Sequence, residues 1–235
     1  MGPDISVIIP ALNEEKYMHI PFEGLSKQSF KNFEVIVVDG GSVDDTAKIA
    51  SKHNAKVLVD RKKGASAARN TGAKAAKGKV LLFLDADTKP SKDLLKVYNR
   101  IFEDNAVAAA TGPILPLEKA SRKMVAGYKF VSIFFVRMSI KIGRPSLVGS
   151  NFAVRKSDFN KQGGFNERLI TYEDWDLSGR LKKSGRIVYS NDAVVYTSVR
   201  RIKAWGVSGF FIFHISNVFR YHLLKKPKDH YKEIR

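Results

Sequence analysis

The sequence of 235 residues contains no cysteine, which excludes disulfide bonds and thiolate metal sites. It gives no reason to expect an oxidising compartment, so we expect a cytoplasmic location. Acidic residues are also scarce, since 23 Asp and Glu stand against 41 Lys and Arg and leave a formal net charge of +18. Such an excess favours polyanionic partners, namely nucleic acid, acidic lipid surfaces or phosphorylated small molecules.

Long uninterrupted apolar runs are missing as well. The stretches 130–136 and 210–213 end at Arg137 and His214, well short of the about 20 residues that a membrane-spanning helix needs. We expect no leader sequence, because a strand-like run already begins at Ile5. The apolar content of 44% nevertheless predicts a folded chain with a substantial core.

The first half of the chain alternates short β-branched runs with single helical stretches. The predicted strands are residues 5–10, 33–39, 56–60 and 80–85, and the predicted helices are residues 14–27, 44–54, 65–77 and 91–104. Strands without polar alternation, each followed by a helix, predict an α/β fold with a mainly parallel, Rossmann-like sheet covered by helices. The loops after the four strands should then share one rim, where ligands bind in such folds.

The second half is less regular. Residues 149–156 read as a strand, 172–185 as a helix that Gly185 ends, and 186–199 as strand material. Apolar residues recur at helical spacing in the basic tail from 202 to 224. We therefore predict one domain over residues 1–200 and a basic amphipathic helical extension over residues 201–235.

Two aspartates one residue apart, Asp85 and Asp87, follow the apolar run that ends the fourth strand. We expect a turn at residues 88–90 to let both carboxylates point into one space. Oxygen ligands of this kind suit Mg²⁺ or Mn²⁺ bound together with phosphates. An isolated D-x-D is more often a plain helix or turn cap, so the motif depends on its neighbours for meaning.

The neighbouring loops add further candidates. Asp39 ends the second strand and precedes two glycines and a Ser42-x-x-Asp45 capping pattern, which suits a ligand close to the backbone or an ordinary capped turn. Arg69 stands in a helix of small residues, either solvated or offering a fork of donors to phosphate at the rim. No G-x-G-x-x-G follows the first strand, so a nicotinamide enzyme is not expected.

Six ordered segments together resemble glycosyltransferase family 2, an inverting family with a glycosyltransferase-A type fold. They are "SVIIPALNEE", "VDGGSVDDT", "ARNTGAKAAKGKVLLFLDAD", "GSNFAVRK", "GGFNE" and "YEDWDLSGRLKKSGRI". The resemblance runs from about residue 5 to residue 197, and agreement of several segments in order is far more specific than any one motif.

The resemblance implies a role for each matching position. Residues Pro10, Leu12 and Glu14 and the aspartate Asp39 are expected at the nucleotide, with Arg69 beside it. Asp85 and Asp87 are expected to serve the ribose and a divalent metal, Mn or Mg, with Asp87 as the direct ligand. Asp174 matches the catalytic base. The acceptor or diphosphate side is expected to include Asn151, the segment 163–165, Glu173, Trp175, Arg200 and Arg201.

Physical chemistry supports a carboxylate at Asp174. Glycosyl transfer passes through an oxocarbenium-like state, so the enzyme must stabilise a departing diphosphate and deliver a nucleophile to the opposite face. A base that takes the proton from an acceptor hydroxyl completes this requirement. Glu173 and Asp174 lie about 100° apart on a helix and cannot share one role. Both would also suit the first turn of a helix as plain acidic residues.

The sequence departs from the family pattern in one place that concerns the metal. Many members have a histidine after the last strand, where this chain has Thr197, so the third metal contact is left open. Arg200 and Arg201 follow, and they suit a diphosphate, a solvated basic pair or a lipid surface. The first nucleotide loop also reads D-G-G-S instead of the more frequent D-D-G-S.

The basic aromatic segments 129–142 and 206–226 suit either core helices or a surface that docks on anionic lipid and receives a polyprenyl-linked acceptor. The leading hypothesis is therefore metal-assisted, inverting transfer from a UDP- or GDP-sugar to a lipid-linked or saccharide acceptor, with peripheral contact at the inner face of the cell membrane. A sugar-phosphate nucleotidyltransferase is one alternative, although the glycine-rich N-terminal loop expected there is missing. A non-enzymatic basic module that binds membrane or nucleic acid is the other.

Overall fold

A seven-stranded sheet forms the centre of the structure, a computed structural model that describes residues 2–62 and 64–206 and, singly, 209, 212, 216 and 220. In chain order the strands are β1 Ile5–Ala11, β2 Phe33–Asp39, β3 Lys56–Val59, β4 Val80–Phe83, β5 Thr88–Pro90, β6 Val107–Thr111, β7 Ile114–Pro116, β8 Phe152–Arg155, β9 Arg186–Tyr189 and β10 Val195–Thr197. The central sheet has the order β3-β2-β1-β4-β8-β6-β9. Strand β8 runs antiparallel to both neighbours, and the other pairs are parallel. The predicted, mainly parallel sheet is confirmed.

Helices cover both faces of this sheet. Their bounds are α1 His19–Leu25, α2 Thr46–Lys52, α3 Ala65–Ala75, α4 Leu94–Ile101, α5 Arg122–Lys129, α6 Val136–Lys141, α7 Lys156–Lys161 and α8 Glu173–Leu181. A π-helical stretch, Phe130–Phe135, joins α5 to α6, and a 3-10 turn, Gly149–Asn151, precedes β8. In β1, Val7 and Ile9 pack in an apolar cluster with α1 and α4, whereas Ile8 packs in a second cluster with α3 and α8. Both faces are thus buried, which explains the unbroken apolar runs in the sequence.

A second sheet of three short strands, in the order β5-β10-β7, corrects two predictions. Residues 88–90 are strand β5 and not a turn, and the turn lies at 86–87. The predicted strand 186–199 is divided by a turn around Asp192, so that β9 joins the large sheet and β10 the small one. Pairing of β10 with β5 sets Thr197 opposite Thr88. The chain that follows β10 therefore lies beside Asp87.

The helix predicted from residue 14 begins only at His19, because residues 15–18 form turns in the loop after β1. Beyond β10, residues 200–206 are helical. Most of the predicted extension over residues 201–235 lies outside the described residues. In the part of the chain that the structure describes, every helix is too short or too polar to cross a bilayer.

Helix α3 lies very close to β1 because Gly72 faces the strand. A Cβ atom at Gly72 would lie 2.5 Å from Cγ2 of Ile8, which no real side chain tolerates without a shift. Arg69 lies about one turn earlier on the same helix. The glycine therefore sets how far the Arg69 guanidinium reaches toward the rim of the sheet.

Replacing Gly72 by alanine should lower the free energy of unfolding by about 1–3 kcal/mol, because the added methyl overpacks the contact with Ile8. The matched control is Gly179→Ala in α8, where a Cβ meets nothing within 4 Å. That change should raise stability by up to about 1 kcal/mol, since alanine is the better helix former. Urea denaturation followed by circular dichroism measures both. If both variants gained the same free energy of unfolding, helix α3 would be able to shift away from β1 and accommodate the added methyl group.

Candidate functional site

The loops after β1 and β2 form one rim of the site. Strand β1 pairs in parallel with both β2 and β4, so the carboxyl ends of the three strands lie side by side. Asn13 donates its backbone N–H to Ser42 Oγ at 2.8 Å and accepts from the Val43 N–H at 2.9 Å. Glu14 donates its N–H to Thr46 Oγ1 at 2.7 Å. These bonds hold the two loops together, as the shared rim predicted from the sequence requires.

Asp39 is buried at the end of β2. Its carboxylate accepts from the backbone N–H of Ser42 at 3.0 Å and from the Ser42 hydroxyl. The predicted capping role of Ser42 is wrong, because its Oγ accepts from the Asn13 N–H while its hydroxyl donates to Asp39. Helix α2 has Asp45 at its N-cap without a side-chain cap bond, and Asp44 instead accepts from the Thr46 N–H at 3.1 Å.

Two apolar residues complete this rim. Pro10 lies in β1 and is partly buried. Leu12 is 37% exposed and lies over Gly40, where a Cβ atom would come within 3.4 Å of the leucine side chain. The glycine therefore leaves room for Leu12 beside the backbone that follows Asp39.

Arg69 joins the end of β4 to helix α8. Its side chain is 5% exposed, NH1 donates to Glu173 Oε1 at 2.7 Å, and NH2 donates to Asp85 Oδ1 at 3.0 Å. Burial alone lowers the pKa of Arg69, but the nearby carboxylates Asp85 and Glu173 outweigh it and raise the pKa, so the guanidinium is charged. The solvated alternative considered from the sequence is wrong. The guanidinium group, which the sequence suggested for a phosphate, donates to two carboxylates in this structure.

Gly149 makes room for that guanidinium. A Cβ atom at this position would lie 2.6 Å from Arg69 NH2. The backbone N–H of Gly149 also donates to Asp174 Oδ2 at 3.1 Å. One glycine thus lets the arginine pass and holds the neighbouring carboxylate, a role that the sequence gave no signal to identify.

Asp87 faces a second arginine. The Asp87 side chain is 13% exposed, and Arg200 Nε lies 3.0 Å from its Oδ2. The N–H is not aligned for a hydrogen bond, so the contact is an ion pair only. Burial raises the pKa of Asp87 to about 6, against the opposing effect of Arg200. Asp85, at the other end of the motif, is more open, with 36% of its side chain exposed.

Arg200 is held on all sides. NH1 and NH2 donate to the two oxygens of Glu14 at 2.7 and 2.6 Å, a bidentate pair. The guanidinium lies 4.2 Å from the centre of the Tyr17 ring. Only 10% of the Arg200 side chain is exposed, which excludes the solvated basic pair considered from the sequence. Arg201 is partly buried and acts on Asp87 more weakly than Arg200 does.

Asp174 lies at the start of α8, beside Glu173 but in a different role. Its carboxylate accepts from the N–H groups of Gly149 at 3.1 Å and of Trp175 at 2.9 Å. Burial, followed by the charge of Glu173, raises the pKa of Asp174 to about 7, although Arg69 and the two N–H donors oppose this. Tyr172, just before the pair, adopts φ 72°, a strained conformation of the kind found at functional sites.

An aromatic wall continues outward from Asp174. Trp175 stacks on Phe135 with ring centres 5.7 Å apart and packs against Tyr172 at 4.6 Å. Segment 163–165 packs elsewhere: both glycines have positive φ, and the Phe165 ring centre lies 5.5 Å from the Arg69 guanidinium.

Asn151, expected on the acceptor side, lies in the core. It is fully buried, accepts from the Tyr98 hydroxyl at 2.5 Å, and donates to the Ala193 carbonyl at 2.8 Å. Its side chain therefore fixes the end of the 3-10 turn. Any influence on an acceptor acts through that turn.

The carboxylates at the end of β4 offer the oxygen donors that Mg²⁺ and Mn²⁺ prefer. Thr197 lies where the sequence leaves the third contact open, with its hydroxyl 3.4 Å from Asp87 Oδ1. Among the described residues, no group of three or more His, Asp or Glu side chains is arranged so that it could hold a metal ion by itself. The donor set fits a cation that takes one or two protein oxygens and completes its shell with water and substrate phosphate.

Comparison with known proteins identifies relatives. The family model described as "Glycosyl transferase family 2" matches residues 6–163. Glycosyltransferase AglE of Haloferax volcanii is 37% identical over 208 residues, which cover 82% of this chain and 66% of that protein. A Methanococcus voltae protein is 28% identical over 220 residues, 81% of this chain and 65% of that one. It is named dolichyl N-acetyl-alpha-D-glucosaminyl phosphate 3-beta-D-2,3-diacetamido-2,3-dideoxy-beta-D-glucuronosyltransferase. This chain thus spans less than two thirds of the length of these relatives.

Solved structures share the fold. The mannosyltransferase PcManGT of Pyrobaculum calidifontis, in complex with GDP-Man and Mn²⁺, superposes with a TM-score of 0.68 at 20% identity, over 92% of this chain and 65% of that one. Residues 1–349 of TarS from S. aureus, in complex with UDP-GlcNAc, give 0.68 at 23% identity, over 94% and 67%. The predicted glycosyltransferase-A type fold is confirmed.

Protonation of Asp174 should make stability depend on pH. The pKa is 3.8 without the fold and about 7 within it, so the native state binds the extra proton between these values. The stability linked to this group is fully present below about pH 4 and is lost as the pH rises through about 7. Asp174→Asn removes that loss. The variant should therefore gain on the wild type by about 1 kcal/mol or more between pH 5 and pH 8.

Urea denaturation at both pH values measures this gain. Asp87 is present in both proteins, so its own titration cancels in the comparison. An unchanged difference between variant and wild type would show that Asp174 is ionised across the whole range.

Proposed function

The chain belongs to glycosyl transferase family 2, and on this premise we propose that it transfers a sugar from a nucleoside-diphosphate sugar to a lipid-linked or saccharide acceptor. The observation that carries the proposal is the bridge made by Arg69. It connects Asp85, at the end of β4, with Glu173, which adjoins the enclosed Asp174. Donor-side carboxylates and a carboxylate with a pKa near neutrality thus lie around one arginine.

The donor would bind across the loops after β1, β2 and β4. Asp39 is held rigidly by Ser42 and offers a fixed acceptor for a base or ribose, and Leu12 offers an exposed apolar contact beside it. Asp85 is open enough to accept from a ribose hydroxyl. UDP- and GDP-sugars are the expected donors, since the relatives with known complexes hold UDP-GlcNAc or GDP-Man.

A divalent metal would be held through Asp87, with Asp85 and the Thr197 hydroxyl close by. When bound, such a cation neutralises the charge that develops on the departing diphosphate. The chain's own contribution is to fix the Asp87 carboxylate against β10 at the diphosphate end of the donor. Manganese in the complex of PcManGT with GDP-Man supports this assignment.

Asp174 would act on the acceptor with inversion at the anomeric carbon. A base works best when its pKa lies near the working pH, and a pKa of about 7 meets that condition for a hydroxyl acceptor. An acceptor phosphate is already anionic, so toward a polyprenyl phosphate Asp174 would orient the nucleophile instead. Trp175 and the aromatic wall would pack against the acceptor.

The surface beside this wall suits a lipid-linked acceptor. The segment 130–142, which we call the aromatic ridge, exposes large apolar side chains among basic ones. Its exposed apolar members are Phe130, Phe134, Phe135, Met138 and Ile142, with exposed fractions of 40% to 64%. Arg137 and Lys141 are exposed between them. Apolar side chains set among cations on a chain of net charge +18 suit the headgroups of an anionic bilayer, and the ridge reaches Trp175 through Phe135.

The donor site can be tested by separating binding from transfer. A panel of UDP- and GDP-sugars with Mn²⁺ or Mg²⁺ should give one donor that raises the melting temperature, by an amount equivalent to about 2.7 kcal/mol at 100 times its dissociation constant. Asp87→Asn should lose this response. Asp174→Asn should keep it and should lose at least about 100-fold in nucleoside diphosphate release with acceptor present.

Failure of every donor to bind would remove the proposed function. Pyrophosphate release from a nucleoside triphosphate would instead support the nucleotidyltransferase alternative. Binding of polyanions without any response to donor would support a basic binding module.

The lipid surface has its own test. The full chain should float with vesicles of phosphatidylcholine and phosphatidylglycerol but not with phosphatidylcholine alone. Exchanging both Phe130 and Phe134 for serine should weaken binding by about tenfold or more, because two half-exposed rings are withdrawn from the headgroup region. Val59→Ser is the control, since Val59 is 63% exposed on β3 and outside the ridge. Equal binding of all three proteins would exclude the ridge as the contact.

A further inference from the structure

The carboxylate proposed for the metal already faces a cation that belongs to the chain itself. Arg200 Nε lies 3.0 Å from Asp87 Oδ2, within the range of a close ion pair. No metal can approach that oxygen on the same side without meeting the guanidinium. A bound metal would therefore compete with this guanidinium for one carboxylate, and the competition has a measurable consequence.

Arg200 is built into the site and is not a surface residue that happens to reach it. The two terminal nitrogens of Arg200 donate to the two carboxylate oxygens of Glu14 at 2.7 and 2.6 Å. The centre of the Tyr17 ring lies 4.2 Å from the guanidinium. Only a tenth of the Arg200 side chain is exposed. A planar guanidinium held by a carboxylate fork and an aromatic face has little freedom to leave.

We propose that Arg200 is the resident cation of the donor site and keeps a divalent metal off Asp87 until nucleotide binds. The inference rests on the proposed function, because it takes Asp87 as the metal ligand. It adds a residue with a defined effect: Arg200 makes metal binding depend on the diphosphate. Metal alone binds weakly, and metal with nucleoside diphosphate binds well.

Electrostatics gives the reason for this order. A unit charge and a divalent charge about 4 Å apart repel by several kcal/mol at the effective dielectric of a protein surface, which is enough to suppress metal binding at Asp87. A diphosphate supplies the compensating negative charge. It would also offer an acceptor to Arg200 Nε, a buried N–H that makes no hydrogen bond in this structure.

The charges around the site point the same way. The carboxyl groups of Glu14, Asp85, Asp87 and Glu173 surround the two guanidinium groups of Arg69 and Arg200, so acidic groups outnumber basic ones in this cluster before any substrate arrives. An incoming diphosphate adds negative charge and therefore needs a further cation. Without the diphosphate, Arg200 alone neutralises Asp87. The metal and the nucleotide are thus expected to bind together.

The test measures Mn²⁺ alone, by the loss of the free-ion signal in electron paramagnetic resonance. Arg200→Gln should bind Mn²⁺ about tenfold or more tightly than the wild type, because one competing charge is removed. The double variant Arg200→Gln/Asp87→Asn should lose this gain. Arg201→Gln is the matched control: it removes the same charge one residue along, and its effect should stay within about threefold, since Arg201 acts more weakly on Asp87.

Equal Mn²⁺ affinity of wild type and Arg200→Gln, or a gain that survives in the double variant, would overturn the inference. Circular dichroism first checks that each variant is folded. If Arg200→Gln does not fold, Arg200→Lys decides, because lysine keeps the charge but cannot bridge Glu14 and Asp87 at once; a gain of about threefold is expected, and no gain would contradict the proposal.

Addition of UDP or GDP to the wild type completes the experiment. It should bring the Mn²⁺ affinity to within about threefold of that of Arg200→Gln, since the phosphates supply compensating negative charge and offer an acceptor to Arg200 Nε. The metal-only measurements decide the role of Arg200, and the nucleotide arm tests the donor site. The inference and the proposed function can therefore fail separately.

Discussion

Buried charge must be neutralised, and in this chain two arginines meet that requirement for four carboxylates. Arg69 pairs with Asp85 and Glu173, and Arg200 pairs with Glu14 and Asp87. Removing one partner of a buried pair, such as Arg69 with Glu173 or Arg200 with Glu14, leaves the other uncompensated, at a cost of about 3–5 kcal/mol. Each arginine also joins the first half of the chain to the second. The site is thus part of what fixes the two halves against each other.

The same constraint gives equivalent groups different chemistry. Asp85 and Asp87 leave the same strand one residue apart, yet Asp85 stays open at the rim whereas burial raises the pKa of Asp87 to about 6. Glu173 and Asp174 are adjacent on α8, but Glu173 pairs with Arg69, whereas Asp174 accepts from the backbone N–H groups of Gly149 and Trp175. Burial raises the pKa of Asp174 to about 7, so this carboxyl holds its proton more tightly than an ordinary aspartate does. Differences in burial and in charged partners, and not residue type, separate these neighbouring carboxylates.

Much of the fold and part of the site could be predicted from the sequence. What separates these features from the unpredicted ones is whether they depend on neighbouring residues or on residues far along the chain. Strands β1, β2 and β4 follow from apolar runs because helices cover both faces of their sheet, and the rim at Asp39, Asp85 and Asp87 follows from the parallel order. The arginine bridges do not follow, since their partners lie more than a hundred residues away for Glu173 and for Glu14. Local patterns also misled where a distant group intervened, as the Asn13 N–H does by donating to Ser42 Oγ.

The spacing between the donor side and the candidate base is set by a single rigid group. The Arg69 fork spans Asp85 and Glu173, and Gly149 both clears its path and holds Asp174 through an N–H group. Gly72 in turn lets α3 approach β1 closely enough for the fork to reach. A planar guanidinium between two packed elements has little freedom to shift, so it fixes the distance between the two carboxylates that it binds. The two glycines therefore matter as much as the charged residues, because they let the guanidinium reach that position.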